Sequence, residues 1–354
     1  MSLVLHIDAS RWRDHLDRYV DSLPLGVDLV PVTKGNGYGF GNQVLATEAA
    51  RLGSSTLAVG TYEEIGDVDD AFAGDILVLT PWRPHDAWAT AMSDSGDPRV
   101  VHTVSRAEDV DALAGAPGDV RVVIEVVTSM RRHGVTPETL APVLATASAA
   151  GLTVEGIALH LPLAGDQTEA IRLGRTAIAA APEGAPVRAL WVSHLSPSAA
   201  GTVAEAVGVP VRLRVATALW LGERGALSAC GQVLDVHPVR RGDRVGYRQR
   251  RVSRDGHLVV VSGGTAHGIA MEAPTAASTV RQRVTSVARG VLEAGGRALS
   301  PFSVAGRQRW FAEPPHMQCS LLLLPAGVEP PRTGDELTVE VRFTTTTFDD
   351  LTWS

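Results

Sequence analysis

Lys34 ends the apolar run Leu29–Thr33 and is followed by Gly35-Asn36-Gly37-Tyr38-Gly39. A strand that closes on a lysine and opens into glycines puts a primary amine at a chain reversal. If that strand belongs to a parallel barrel, the reversal lies at the C-terminal mouth, where active sites of such barrels sit. An amine there could form an imine with a cofactor aldehyde, and nearby cations or burial would lower its pKa enough for it to act as a base. A lone Lys-Gly-x-Gly is more often a solvated strand-end lysine beside a flexible loop. The assignment therefore needs company elsewhere in the chain.

The elements that would position the lysine are legible. From Leu29 to Leu221, short apolar runs alternate with Ala-rich segments of helical length, the pattern of βα units around a parallel sheet. Strands are expected at Leu29–Thr33, Thr56–Val59, Ile76–Leu79, Arg99–Val104, Val120–Glu125, Val154–Ala158, Ala189–Val192 and Val211–Arg214. Helices are expected at Asn42–Leu52, Tyr62–Ala71, Ala107–Ala114, Pro137–Ala150 and Gln167–Ala181. This count fits an α/β fold of the (β/α)8 TIM-barrel type. After Gly222, Val, Thr, Arg and Gly replace Ala, and the helical period gives way to β-like runs at Leu234–Pro238, His257–Ser262, Ser320–Leu324 and Glu336–Phe343. The reading is a barrel over residues 1–225, N-terminal segment included, followed by a C-terminal all-β domain over 226–354.

Composition narrows the function classes. The 354 residues are 45% hydrophobic and 20% charged, as in ordinary globular chains, and exceed what one core usually serves. A net charge of −7 gives no general attraction to phosphate backbones or anionic lipid, so neither nucleic acid nor membrane is expected as a partner. The two cysteines, Cys230 and Cys319, lie in no Cys-x-x-Cys or zinc-spaced cluster, so neither a disulfide nor a metal is expected. Met1–Asp14 lacks the apolar core of a signal peptide and no run is long enough to span a bilayer, which points to the cytoplasm.

Pro31-Val32-Thr33-Lys34-Gly35-Asn36-Gly37-Tyr38-Gly39-Phe40-Gly41 resembles the lysine motif of alanine racemases, typically V-V-K-A-N-A-Y-G-H-G, which carries pyridoxal 5'-phosphate (PLP). Ala58-Val59-Gly60-Thr61-Tyr62-Glu63-Glu64 resembles the same family's second-strand stretch. The resemblance implies that Lys34 holds PLP and that Tyr38 bonds its phosphate. Ser129-Met130-Arg131-Arg132-His133-Gly134 is similar to G-M-x-R-L-G, which implies that Arg132 approaches the cofactor phenolate and the substrate carboxylate, with Arg131 one register away. Gly156-Ile157-Ala158-Leu159-His160 is similar to G-I-x-x-H, placing His160 in the hydrogen-bonded barrel interior. His194-Leu195-Ser196-Pro197-Ser198 resembles H-x-x-N-S, which gives Ser198 to the phosphate and sets His194 behind an arginine. That arginine is Arg214, in a segment similar to V-R-x-G-I-A-L-Y-G, with the backbone N–H groups of Ala216 and Thr217 as further phosphate donors. A guanidinium facing the pyridine nitrogen leaves that nitrogen an unprotonated acceptor, which suits racemisation better than a fully delocalised carbanion.

The pattern breaks in the C-terminal part. The family's second base is a tyrosine of the partner subunit in a G-Y-x-D-G motif, and here Thr265 stands in its place within Gly263-Gly264-Thr265-Ala266-His267-Gly268. A threonine hydroxyl is no base near neutral pH. If the segment is extended, His267 shares a face with Thr265 and offers an imidazole of ordinary pKa about 6.5 as a substitute. Met317 stands where the family has a residue whose N–H meets the substrate carboxylate. The resemblance implies a PLP-dependent racemase of a small amino acid, alanine most simply, acting as a homodimer in which each β-domain completes the partner's site. The alternatives are a PLP enzyme needing only one base, such as a decarboxylase, aldolase or eliminase, and a non-catalytic PLP-binding protein.

Overall fold

The computed structural model describes residues 2–163, 167–271 and 298–354. The chain divides into two compact units: Arg13–Gly37 with Gly41–Gly222, and the N-terminal residues through Trp12 with Tyr38–Phe40 and Glu223–Ser354. In chain order the first elements are β1 (Leu3–Ile7), α1 (Ala9–Asp21), β2 (Val27–Pro31), α2 (Asn42–Arg51), β3 (Thr56–Val59), α3 (Ile65–Val68), β4 (Asp75–Val78), α4 (Ala87–Ser95), β5 (Val100–Val104) and α5 (Ala107–Leu113). They continue as β6 (Arg121–Val126), α6 (Leu140–Ala149), β7 (Thr153–Leu159), α7 (Gln167–Ala180), β8 (Leu190–Ser193), α8 (Pro197–Val207), β9 (Val211–Val215) and α9 (Thr217–Trp220).

Strands β2 to β9 form one eight-stranded parallel sheet, in the order β2-β9-β8-β7-β6-β5-β4-β3. A parallel bridge between Val32 and Ala58, with the Thr33 N–H donating to Ala58 O at 2.9 Å, closes β2 onto β3. The unit is a TIM barrel. Its strands read as unbroken apolar runs because a parallel sheet wrapped by helices is dry on both faces. Val30, Val32, Ala58, Leu77, Val101, Val123, Ala158 and Trp191 fill the interior. Trp191 has room because its neighbours are small. A Cβ on Gly156 would lie 2.2 Å from Ala189 O and 3.0 Å from the Trp191 ring. At the strand starts, Arg121 is bidentate on Asp75 (2.6 and 2.8 Å) and bonds Glu155 at 2.8 Å, tying β4, β6 and β7 at the barrel's stability face.

The eight expected barrel strands agree with the observed ones to within two residues at each end, but the helix expected over Tyr62–Ala71 contracts to α3. The Glu64 carboxylate turns back to accept from Gly60 N–H (2.7 Å) and Thr61 N–H (3.2 Å), and this local bonding competes with a helical start.

The second unit is β-rich. Its strands are β1, β10 (Leu227–Val239), β11 (Arg244–Val245), β12 (Arg250–Arg251), β13 (Gly256–Ser262), β14 (Leu299–Val304), β15 (Arg307–Phe311), β16 (Cys319–Pro325), β17 (Glu336–Thr338) and β18 (Asp350–Trp353). The main sheet runs β14-β15-β16-β13-β10-β1-β18, with β17 also on β10. Its core is Leu3, Val233, Val259, Val261, Phe302 and Leu322. Three expectations change here. The N-terminal segment read as part of the barrel pairs through β1 with β10 and β18, so it belongs to this unit. The strand expected at Leu234–Pro238 is the second half of a 13-residue strand whose register shifts at Val233/Asp235. The run Glu336–Phe343 stays a strand only to Thr338, because beyond it Val339 makes an isolated bridge to Phe302. Among the described residues no helix is long and apolar enough to cross a membrane.

Candidate active site

Lys34 sits just past β2 at the C-terminal mouth, and its loop is pinned from both sides. Thr33 Oγ1 donates to Asn42 Oδ1 at 2.6 Å, Asn42 Nδ2 donates back to Gly35 O at 3.2 Å, and Gly35 N–H donates to Glu64 Oε1 at 2.7 Å. Gly35 and Gly37 both need φ near +58°, and a Cβ on Gly60 would lie 2.9 Å from the Lys34 Cβ. The glycines therefore let the backbone fold tightly around the lysine. Burial lowers the Lys34 pKa, the charges of Arg132 and Arg214 lower it further, and Glu64 opposes them. Lys34 thus stays open to solvent at the mouth yet is partly desolvated among cations, a setting that favours a nucleophile and base.

Arg214, on β9, is buried. One guanidinium nitrogen donates to Leu159 O at 3.0 Å, while Nε has no hydrogen-bond partner among the described residues. Burial lowers its pKa to about 10, Glu125 opposing and Arg132 adding. Glu125 on β6 is buried too, with one carboxylate oxygen unpartnered among the described residues, and burial raises its pKa against the pull of Arg214, Arg132 and Arg83. Buried polar atoms are rarely left unbonded, so an orphan donor and an orphan acceptor in one barrel call for a polar ligand. His160 Nδ1 lies 3.0 Å from Ser193 Oγ, and its ring stands edge-on to His194 at 5.1 Å. Burial, then Arg214 and Arg132, bring His160 to about 3, and burial followed by Arg214 also lowers His194. Both imidazoles are therefore neutral at physiological pH, and His194 takes a left-handed backbone (φ 61°).

Arg132 lies on an exposed loop fixed at its root. Ser129 gives its N–H and its hydroxyl to the two Glu169 oxygens, at 2.7 Å each, and Thr128 Oγ1 donates to His160 O at 2.6 Å. Gly134 (φ 126°) has no room for a side chain, since a Cβ would lie 2.3 Å from Val127 N. Of the two adjacent arginines, Arg132 is the one whose charge is felt at Lys34, His160, His194 and Arg214.

Ser198 is exposed in the first turn of α8, behind an N-cap in which Ser196 Oγ accepts from Ala199 N–H at 3.2 Å. Ala216 precedes α9, whose first residue is Thr217. These two helix starts follow β8 and β9, the seventh and eighth barrel strands, where TIM barrels commonly bind phosphate.

Three candidates lie in the β-rich unit and a fourth, Tyr38, is counted with it. Tyr38 has a buried ring and φ 54°. Met317 is 69% exposed. Thr265 is exposed at the start of a short 3-10 turn, Thr265–His267, and its N–H donates to His316 O at 2.8 Å. Because that segment turns instead of extending, Thr265 and His267 do not share a face. His267 is buried, its Nδ1 accepts from Gly264 N–H at 3.2 Å, and its Nε2 sits 3.1 Å from both Asp349 oxygens. Both ring nitrogens are committed, so the expectation that His267 stands in for the missing tyrosine lacks its geometric basis.

Sequence reasoning passed over Glu64, Glu125, Ser193 and Glu169. Glu125 left a signal, a carboxylate at the end of the otherwise apolar run Val122–Ile124, where a barrel strand meets its mouth.

Residues 7–212 match the family described as alanine racemase, N-terminal domain. The alanine racemase of Desulfovibrio desulfuricans is 30% identical over 203 residues, 55% of this chain and 53% of that protein. The chain spans about half the length of the curated relatives it matches. Among solved structures, the alanine racemase from E. faecalis has a TM-score of 0.71 at 19% identity, covering 99% of this chain and 98% of that one. The alanine racemase from Bartonella henselae with covalently bound pyridoxal phosphate has a TM-score of 0.72 at 15% identity, covering all of both chains. At such identities the likeness of structure speaks for the fold, and the family match adds the barrel sequence itself. The chain belongs to the alanine racemase N-terminal domain family.

Proposed function

We propose that the protein is a PLP-dependent amino-acid racemase acting on a small amino acid, alanine in the simplest case. The observation that carries this reading is the pairing of a cation-flanked Lys34 with a buried Arg214 whose Nε lacks a partner among the described residues. PLP fits this donor set. Lys34 would hold it through its amine, Arg214 Nε would donate to its ring nitrogen, and Ser198, the N–H groups of Ala216 and Thr217, and Tyr38 would serve its phosphate. When bound, PLP supplies a conjugated system that stabilises negative charge at the substrate Cα.

The chain's own residues do the rest. Arg132 would hold the substrate carboxylate, since a guanidinium binds carboxylate in a fixed fork. Arg214 keeps its proton, so a ring nitrogen bonded to it would stay an acceptor, which would favour proton return to Cα over side reactions. Lys34, its pKa lowered, takes or gives the Cα proton on one face. A homodimer in which the β-rich unit of a partner subunit serves the other face completes the proposal.

An absorbance band at about 420 nm that borohydride abolishes tests the cofactor. Single enantiomers in deuterated water test the reaction, because racemisation gives the opposite enantiomer labelled at Cα. Absence of the band sinks every PLP reading. The exposed Thr265 and the committed His267 favour a second reading, a one-base enzyme such as a decarboxylase or aldolase, which would label Cα with retention or release carbon dioxide or an aldehyde.

A further inference from the structure

Beside Thr265 the β-rich unit carries a carboxylate–imidazole pair that the local sequence did not reveal. Glu313 is 2% exposed, and its carboxylate accepts from His316 Nε2 at 2.7 Å, Tyr247 N–H at 3.0 Å and Arg248 N–H at 3.3 Å. The site is built to admit it, since Gly246 (φ 71°) has no room for a side chain, a Cβ there falling 2.1 Å from the Glu313 carboxyl carbon. Burial works against the charge on Glu313, but the His316 bond and the two backbone N–H groups hold its pKa below the usual carboxylate range. An ionised carboxylate can only accept, so it fixes the proton of His316 on Nε2 and leaves Nδ1 as the unprotonated acceptor.

The neighbours of Nδ1 suit a proton-transfer group. Cys319 Sγ lies 3.9 Å from Nδ1, and burial raises its pKa, so the partner of Nδ1 is a weak thiol donor, unlike the backbone N–H that holds His267 Nδ1. The exposed Tyr247 ring covers the imidazole at 4.4 Å between centroids, and 22% of the His316 side chain stays open to solvent. The backbone joins this pair to the positions the sequence singled out: Thr265 N–H donates to His316 O at 2.8 Å, and Ala266 N–H to Met317 O at 3.0 Å.

We propose that His316, oriented by Glu313, is the second acid–base group, exchanging a proton with the substrate Cα on the face opposite Lys34 and so taking the part that neither Thr265 nor His267 can play. The proposal rests on the racemase reading and its partner-completed site. In one direction His316 begins as the imidazolium, protonated at both nitrogens: Lys34 Nζ takes the Cα proton on one face, His316 Nδ1 gives its proton to Cα on the other, and the electron pair of the broken Cα–H bond forms the new one. The reverse direction exchanges the two roles. Glu313 is a positioning residue and keeps its charge throughout.

His316→Asn, whose amide overlays the Nδ1 edge of the imidazole and does not titrate, is the test. Racemisation should fall by on the order of 10²–10⁴-fold, the usual contribution of a positioned acid–base group. The band at about 420 nm and deuterium wash-in from the enantiomer served by Lys34 should persist, which also reports that the variant folds. Independently of activity, ¹⁵N spectra of the apoprotein should show His316 as the Nε2–H tautomer. Racemisation within a few-fold of wild type, or an Nδ1–H tautomer, overturns the proposal. A wild-type enzyme that holds PLP but never racemises overturns the racemase reading and this proposal with it, whereas a racemising wild type beside an unimpaired variant overturns this proposal alone.

Discussion

Burial sets the charge states of the residues that matter, and each state has a measurable consequence. Lys34 is exposed enough that truncation removes little packing, so Lys34→Ala should abolish the band at about 420 nm and all activity while shifting stability by no more than about 0.5 kcal/mol, as read from urea melts. Outside the mouth, His102 is buried against Tyr62, whose hydroxyl lies 3.0 Å from Nδ1, and burial lowers its pKa from about 6.5 to about 4. The unfolded chain therefore binds a proton at this histidine between those values while the folded chain does not. Its contribution is intact above pH 6.5 and is lost as pH falls toward 4, by about 3 kcal/mol in all. His102→Gln, which does not titrate, should flatten that part of the stability–pH curve, and an unchanged acid limb would assign it to other groups.

At the scale of elements, the barrel depends on a few positions where the backbone leaves no choice. Gly156 combines φ 152° with a Cβ position 2.2 Å from Ala189 O, so Gly156→Ala must push β7 away from β8 around Trp191. It should cost about 2 kcal/mol or more by chemical denaturation. Ser196→Ala removes the cap of α8 and should cost about 1 kcal/mol. If α8 starts at the cofactor phosphate, the same variant should also release PLP more readily on dialysis. Stability loss with unchanged PLP retention would remove α8 from the phosphate site.

For the whole molecule, the decisive prediction concerns how sites are assembled. If each β-rich unit serves the barrel of a partner, Lys34→Ala and His316→Asn chains lie in opposite halves of a site. An equal mixture dissociated and reassembled should then form hetero-dimers in half of all cases, each with one site intact, restoring about a quarter of wild-type racemisation. Recovery should follow dimer formation by sedimentation. Two inactive variants that stay inactive as a proven hetero-dimer would place both groups in a site made by one chain.

Alternating apolar and Ala-rich segments determined the barrel because burial on both faces of a parallel sheet leaves a continuous local signature, and the glycines after Lys34 mark positive φ at single residues. What the local pattern could not carry were hydrogen bonds and charges between residues far apart in the chain. Only the tertiary structure brings the charge of Arg132, the second of two adjacent arginines, to bear on Lys34, and that of Arg214 on the buried Glu125. It also drew β1 into the β-rich sheet, gave His267 to Asp349, and set His316 against Glu313 beside Thr265. The reason is the same in each case: a buried polar group takes whatever partner the fold brings within about 3 Å, and periodicity along the chain records burial but not that partner.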